Sequence, residues 1–453
     1  MSKYKYTLRD YHAIKEAEIK LDGITVLSGI NGCGKSTLSR WLYYLVNGIN
    51  GFDNNAFSEY ITSLKGLLSK FEFVLREIEM VEHIHAKSFL GKVIRVNEEL
   101  DLLIEQTGII EKKVNKSIQL IYSLLSEIRQ ILKDYYLSEE VSIERKKRIS
   151  SFLEIKEVNK DNIEKLLDTF VEDYRYSIYY KKINLFIKIK TRNIDTLYEF
   201  LSNLYETGLE KPSNIQIEED GDELLANNSF SSIFNLRKAI YIDTPMALTA
   251  NDLSNHFWTD LRDKLKERKA SVTNNKKLLL RISRILNGSV VIKTEKLLGV
   301  YEENTLRFVS SDKQIDIPLK DVATGYKSFS YIQRLLENGE LTSETLLMID
   351  EPEAHLHPQW IVEFARILVM LHKEIGVKIM IASHNPDMIS AIQAIAEASG
   401  VIENINFYLA EPYEGNPHQY VYRCLGQDIE DIFKSFNVAF DKINMYADRS
   451  IGL

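Results

Sequence analysis

Gly29-Ile30-Asn31-Gly32-Cys33-Gly34-Lys35-Ser36-Thr37 carries glycine, four residues, then Gly-Lys-Ser, the spacing of a loop that cradles phosphates. Glycines let backbone N–H groups close in on phosphate oxygens. A helix beginning near Lys35 adds unsatisfied N–H groups and the positive end of its dipole. Lys35 is expected to reach the β- and γ-phosphates and Ser36 to offer its hydroxyl to Mg2+, with Asn31, Gly32, Cys33, Gly34 and Thr37 lining the phosphate tail. The loop needs a strand before it and a helix after it. Ile24–Leu27 is an apolar, β-branched run, and Leu38–Val46 is apolar-rich with helical character.

A second constellation stands far along the chain. Leu346-Leu347-Met348-Ile349 reads as a buried parallel strand that ends in Asp350-Glu351-Pro352. Ligands of open α/β sheets bind at the C-terminal ends of strands. Asp350 would hold Mg2+, directly or through water, and Glu351 would take a proton from an attacking water. One strand later, Val377–Ala382 leads into Ser383-His384-Asn385-Pro386. His384 would hydrogen-bond a γ-phosphate or the water from the same edge.

The elements that must position these residues emerge from the rest of the chain. Its 453 residues, 45% of them hydrophobic, suffice for two or three domains and a large core. A net charge of −8 excludes a globally basic surface, so any nucleic-acid contact must come from a local patch. The first residues lack the apolar core of a signal peptide, and no apolar run is long enough to span a bilayer. Two cysteines, Cys33 and Cys424, are too few for a disulfide framework. These features predict a cytoplasmic protein.

Residues 4–27 read as a strand meander with a turn at Asp22-Gly23. The turn-rich stretch 50–56 marks a change. From Phe57 to Glu206 there is no proline, and apolar residues recur at helical spacing, as in Leu100, Leu103 and Ile104, or Ile118, Leu120, Ile121, Leu124, Leu125 and Ile128. This predicts an inserted, compact, mainly helical domain over 56–224, interrupting a head formed by 1–55 and 225–453. Within the insert, Ile183, Leu185, Ile187 and Ile189 alternate and suggest one strand. Lys181, Lys182, Lys188, Lys190 and Arg192 cluster there beside Tyr176, Tyr179 and Tyr180, and Arg145–Arg148 is another basic run. These residues either meet nucleic acid or form a solvated face. Pro212–Ser229 reads as an acidic loop, Ala239–Ile242 as a buried strand, and 253–287 as helical. Val290–Pro318 reads as short strands with turns at Gly299 and Asn304.

Together the glycine loop, the acid pair and His384 resemble the ATP-binding-cassette (ABC) ATPases, in particular their RecF, structural-maintenance-of-chromosomes and overcoming-lysogenisation branch. Glu351-Pro352-Glu353-Ala354-His355-Leu356-His357-Pro358 is similar to that branch's version of the segment after the catalytic glutamate. The resemblance implies an α/β, ABC-type P-loop ATPase head with a mixed and parallel sheet, using ATP and Mg2+. It also implies a signature loop that completes the site of a second subunit. Val322-Ala323-Thr324-Gly325-Tyr326-Lys327-Ser328 resembles it, with Thr324 for serine and Tyr326 for glutamate. Thr324, Gly325 and Lys327 would then meet the γ-phosphate held by another copy. Asp243-Thr244 stands where the family's glutamine loop would be. His355 and His357 are expected to pack or hydrogen-bond rather than ligate a metal.

The resemblance implies a homodimer or higher oligomer that closes head to tail around ATP. The helical insert and the Glu353–Pro358 segment resemble ATPase subunits of two-component phage-defence systems of the Septu and PARIS types, which implies a separate effector, a nuclease or toxin. A repair or DNA-organising ATPase acting on DNA itself is the competing reading, and a transporter's ATPase subunit a third. Cys33, just before a helix N-terminus, is expected either to be an alkylation-sensitive thiol that nucleotide protects or to fill a small-residue slot.

Overall fold

The computed structural model describes residues 2–79, 86–155, 162–205, 210–226, 228–248, 256–267, 276–297 and 301–435. The chain divides into two compact units, 1–50 with 194–453, and 51–193.

The first unit opens with β1 (Tyr4–Tyr11), β2 (Ile14–Lys20) and β3 (Ile24–Ser28), the expected meander. Helix α1 (Lys35–Glu79) starts at the glycine loop. The second unit holds the rest of α1 with α2 (Ala86–Glu105), α3 (Ile110–Leu137), α4 (Ile143–Phe152) and α5 (Ile163–Thr191). The chain returns to the first unit through α6 (Ile194–Tyr205) and the short strands β4 (Asn214–Glu219), β5 (Asp222–Glu223), β6 (Leu225–Ala226) and β7 (Ser229–Phe230). Next come β8 (Lys238–Ile242), α7 (His256–Lys266) and α8 (Lys276–Leu286). A three-stranded sheet follows, of β9 (Gly288–Leu297), β10 (Tyr301–Ser310) and β11 (Asp316–Pro318). The chain continues through α9 (Thr324–Glu337), β12 (Thr345–Asp350), α10 (Pro358–Ile375), β13 (Lys378–Ala382) and α11 (Pro386–Ser399), and then β14 (Ile405–Tyr413) and β15 (Asn416–Gly426).

The large sheet runs β5-β4-β1-β2-β15-β14-β3-β13-β12-β8. Its β14-β3-β13-β12-β8 half is parallel. Every residue of β3, β12 and β13 is buried, which explains their unbroken apolar sequences: a parallel strand covered on both faces shows no alternation. The strand that precedes His384 thus lies between the strand of the glycine loop and the strand of the acid pair. Helix ends are fixed by local chemistry. His357 caps α10 by accepting the Gln359 N–H, Asn385 caps α11 by accepting the Met388 N–H, each with proline following, and left-handed Gly376 and Gly400 end the two helices.

Several expectations fail for identifiable reasons. Residues 50–56 are not a turn but lie inside α1. Phe52 and Phe57 are buried, the Asn50 amide donates to the Leu236 carbonyl at 2.8 Å, and Arg192 holds Asp53 through a 2.8 Å ion pair. Residues 183–189 are not a strand but the last turns of α5, where Leu185 continues the buried stripe of Ile178 and Tyr174. The acidic stretch 212–229 contributes β4, antiparallel to β1, because Ile217 buries its side chain and Lys5 pairs with Glu218 at 3.0 Å. Asn304 lies within β10 rather than at a turn, and Gly299 is outside the described residues, as are 253–255 and 268–275 of the expected helical stretch. The contact division falls at 50/51 and 193/194 rather than at 55/56 and 224/225, since α6 and β4 belong with the first unit. In the second unit, Leu100, Leu103, Ile121, Leu124, Leu125 and Ile128 are buried in one core.

Candidate functional site

The glycine loop leaves buried β3 and returns into α1. All three of its glycines occupy backbone that other residues avoid, Gly29 at φ +156°, Gly32 at φ +83° and Gly34 at φ +99°. At Gly34 a Cβ would also stand 2.7 Å from Ile14 at the β1–β2 turn, whereas at Gly32 it would meet nothing. The Lys35 ammonium donates to the loop's own carbonyls, Gly29 at 2.8 Å and Ile30 at 3.0 Å. It is therefore curled over the concavity that the loop encloses.

Asp350 reaches the same place from β12. Its Oδ1 accepts the Ser39 hydroxyl at 2.9 Å across 311 positions of sequence, and its Oδ2 accepts the Tyr241 hydroxyl at 2.7 Å. Burial pushes its carboxyl above the ordinary range, opposed by the hydroxyls of Ser36, Tyr241 and Ser39. Ser36 and Asp350 supply hard oxygen donors side by side, the set that Mg2+ prefers. Glu351 follows at φ +46°, a strained position for a non-glycine residue, with its side chain open to solvent. Its N–H donates to the Ala382 carbonyl at 2.7 Å, and the Ser383 N–H donates to the Leu27 carbonyl at 3.0 Å. The tips of β3, β13 and β12 are thereby stapled together. His384 Nδ1 lies 3.3 Å from Glu351 Oε1. Lys35, Ser36, Asp350, Glu351 and His384 therefore share one edge of the sheet.

The turn Ala323–Ser328 opens α9 as expected, but its parts face different ways. Gly325 packs against Leu356 and Trp360, so the turn rests on the segment that follows the acid pair. Tyr326 lies between Trp360, 4.9 Å between ring centroids, and Phe308, 5.5 Å. Lys327 is only 3% exposed, and its burial lowers its pKa, partly offset by Asp321. Ser328 lines a small cleft with Asp350 and Glu351. Asp243 accepts the Trp258 indole N–H at 2.7 Å, and burial raises its pKa.

His357 serves as a helix cap, and among the described residues no group of three or more His, Cys, Asp or Glu could hold a metal ion. Cys33 is 0% exposed, and its sulfur sits 3.6 Å from the Tyr422 hydroxyl. The Lys35 ammonium lies 3.8 Å from the same sulfur. Ser39, Tyr241 and Glu353 did not stand out in the sequence. Ser39 was findable, since it lies one helical turn beyond Ser36. Nothing local marks Tyr241 or Glu353.

A family model described as the AAA ATPase domain matches residues 4–389. The chain belongs to the AAA ATPase domain family. It has an α/β P-loop fold with a mixed sheet and flanking helices. This AAA ATPase is similar over 72 residues to two energy-coupling factor transporter ATP-binding proteins of Clostridium perfringens, EcfA3 at 39% identity and EcfA2 at 38%, each match covering 16% of this chain. The chain spans a quarter, 25%, of the length of the curated relatives it matches. Among solved structures, the Pyrococcus furiosus Smc head domain bound to the C-terminal domain of ScpA matches with 10% identity and TM-score 0.35, over 97% of this chain and 100% of that one. The Thermotoga maritima SMC head domain matches with 10% identity and TM-score 0.33, over 93% and 98%. No helix among the described residues is long and apolar enough to cross a membrane.

Proposed function

We propose that this AAA ATPase is a nucleotide-gated switch: two copies close head to tail around ATP, and hydrolysis to ADP and phosphate lets them part. The observation that carries the reading is the meeting of Asp350 with Ser36 and Ser39 at the edge where Glu351 and His384 also stand. Lys35 leaves its loop carbonyls to bind the β- and γ-phosphate oxygens. Ser36 and Asp350 would hold Mg2+, which would supply positive charge against the phosphates. Glu351 accepts a proton from the attacking water, and His384 donates to the γ-phosphate while its Nδ1 faces Glu351. Thr324 and Gly325, at the N-terminus of α9, meet the γ-phosphate of the other copy. Lys327 joins them only if the turn opens, given its burial. Loss of the γ-phosphate removes the link between copies, so turnover and closure share free energy.

The switch acts in the cytoplasm on a separate effector, a nuclease or toxin, in defence against phage. The support for that output is the resemblance of the Glu353–Pro358 segment and helical insert to such subunits. Glu351→Gln should accumulate an ATP-loaded dimer in light scattering with turnover abolished, while Lys35→Ala should stay monomeric and bind no ATP. Normal turnover in both variants would sink the assignment.

A DNA-acting ATPase is the second reading, favoured by the exposed Tyr176 (69%), Tyr179 and Tyr180 beside Lys181 on α5. Against it, Lys188 pairs with Glu59 and Arg192 with Asp53, so part of that basic cluster serves the fold. Salt-sensitive DNA binding lost in Tyr179→Ala would favour this reading over the first.

A further inference from the structure

Glu353 stands just past the acid pair and is 7% exposed. Its Oε1 accepts the Ser383 hydroxyl at 2.8 Å and the His384 main-chain N–H at 3.3 Å. The same oxygen lies 3.9 Å from His384 Nδ1. Its Oε2 is buried and has no hydrogen-bond partner among the described residues. A buried polar atom left in this way carries its full desolvation cost, so a packing role alone would be better served by an apolar side chain. Burial pushes the carboxyl above the ordinary range, against the Ser383 and His384 donors.

Glu353 is the side chain that ties the segment after β12 to the segment after β13. The His384 ring itself is half exposed and makes its closest charged contact with Glu351. Its direction is set by the peptide that carries it, and that peptide is gripped from below by Glu353. We propose that Glu353 is a positioning residue for hydrolysis: by holding Ser383 and the His384 N–H it aims the imidazole at Glu351, without touching nucleotide. This rests on the role given above to His384.

The test is a double-mutant cycle on the full chain, read by phosphate release. Glu353→Ala should lower kcat by about 30-fold with KM within about twofold, the scale expected when a catalytic group is displaced by an ångström or less. Glu353→Gln keeps an acceptor oxygen for both donors, and its kcat should stay within about threefold of the parent. His384→Ala alone should slow turnover. Adding Glu353→Ala to His384→Ala should cost less than about twofold more, because a residue that acts through another loses its effect when the other is gone. Ser383→Ala removes one of the two donors and gives the same silent behaviour on His384→Ala, which keeps the cycle usable if Glu353→Ala does not fold. Equal losses in both backgrounds, or Glu353→Gln as slow as Glu353→Ala, would overturn the inference while leaving the proposed switch intact. His384→Ala with parental turnover would overturn both.

Discussion

Asp350→Asn should make the resting protein more stable and its catalysis absent. Asp350 is buried, and desolvation pushes its carboxyl above the ordinary range even with the hydroxyls of Ser36, Tyr241 and Ser39 directed at it. Asparagine keeps an oxygen for the Tyr241 phenol, and its amide can donate to Ser39, whose hydroxyl accepts as readily as it donates. The Tyr241 and Ser39 hydrogen bonds are kept, and a desolvated charge is removed. Relief of such a site is worth about 0.5–2 kcal/mol, and each kcal/mol corresponds to roughly 2–4 °C in melting temperature for a large domain. The sign with pH follows from the raised pKa. The folded state holds this proton more tightly than the unfolded chain does. The stabilisation is therefore complete below the ordinary carboxylate range and is lost as pH rises through the raised value. The advantage of Asp350→Asn should grow from acid to neutral pH. Glu337 and Glu353 are raised by burial too, but they contribute equally to both proteins and cancel in the difference. Asp243 is raised by burial and also by the Asp350 charge, so its shift shrinks in the variant and widens the gap at neutral pH. Urea unfolding at acid and neutral pH, without nucleotide or Mg2+, measures the gap, and phosphate release measures turnover. A variant less stable than its parent at neutral pH by more than about 1 kcal/mol, beyond the usual scatter of surface changes, would refute the reasoning.

Other expectations are narrower. Gly34→Ala should lose ATP binding and about 2–4 kcal/mol, combining left-handed strain with the 2.7 Å approach to Ile14, whereas Gly32→Ala should lose only about 1–2 kcal/mol; denaturation curves separate them. Tyr326→Ala should cost roughly 2 kcal/mol, about half the value for a fully buried ring, and Tyr326→Glu should not raise turnover, as measured by melting and phosphate release. Cys33 should react slowly with iodoacetamide, and equally with and without Mg-ATP, because its sulfur is buried against Tyr422; mass spectrometry of the labelled peptide reads it out.

The parts of the site legible in the sequence are those written in short spans. Gly29–Ser36 and Leu346–Glu351 each combine an apolar run with a fixed offset to a charged residue, and local backbone geometry then does the placing. Tyr241 was hidden because its partner Asp350 is 109 positions away and a tyrosine within an apolar strand looks like core. The alternation at Ile183–Ile189 misled because in this stretch of the helix only Leu185 is buried, and apolar side chains are tolerated on the partly exposed positions around it. The Asn-Gly-rich stretch 50–56 misled for a different reason. Asn47 and Asn50 side chains spend their hydrogen bonds on the backbone of residues 236–239, so they no longer compete with the helix.

The stapling of the three strand tips runs through main-chain atoms alone: Leu27 carbonyl to Ser383 N–H, and Ala382 carbonyl to Glu351 N–H. Such wiring is blind to side-chain identity. Sequence drift at these positions, short of a proline at 351 or 383, leaves the phosphate cradle mechanically joined to the carboxylate opposite, and only an edit to the backbone itself could disconnect them.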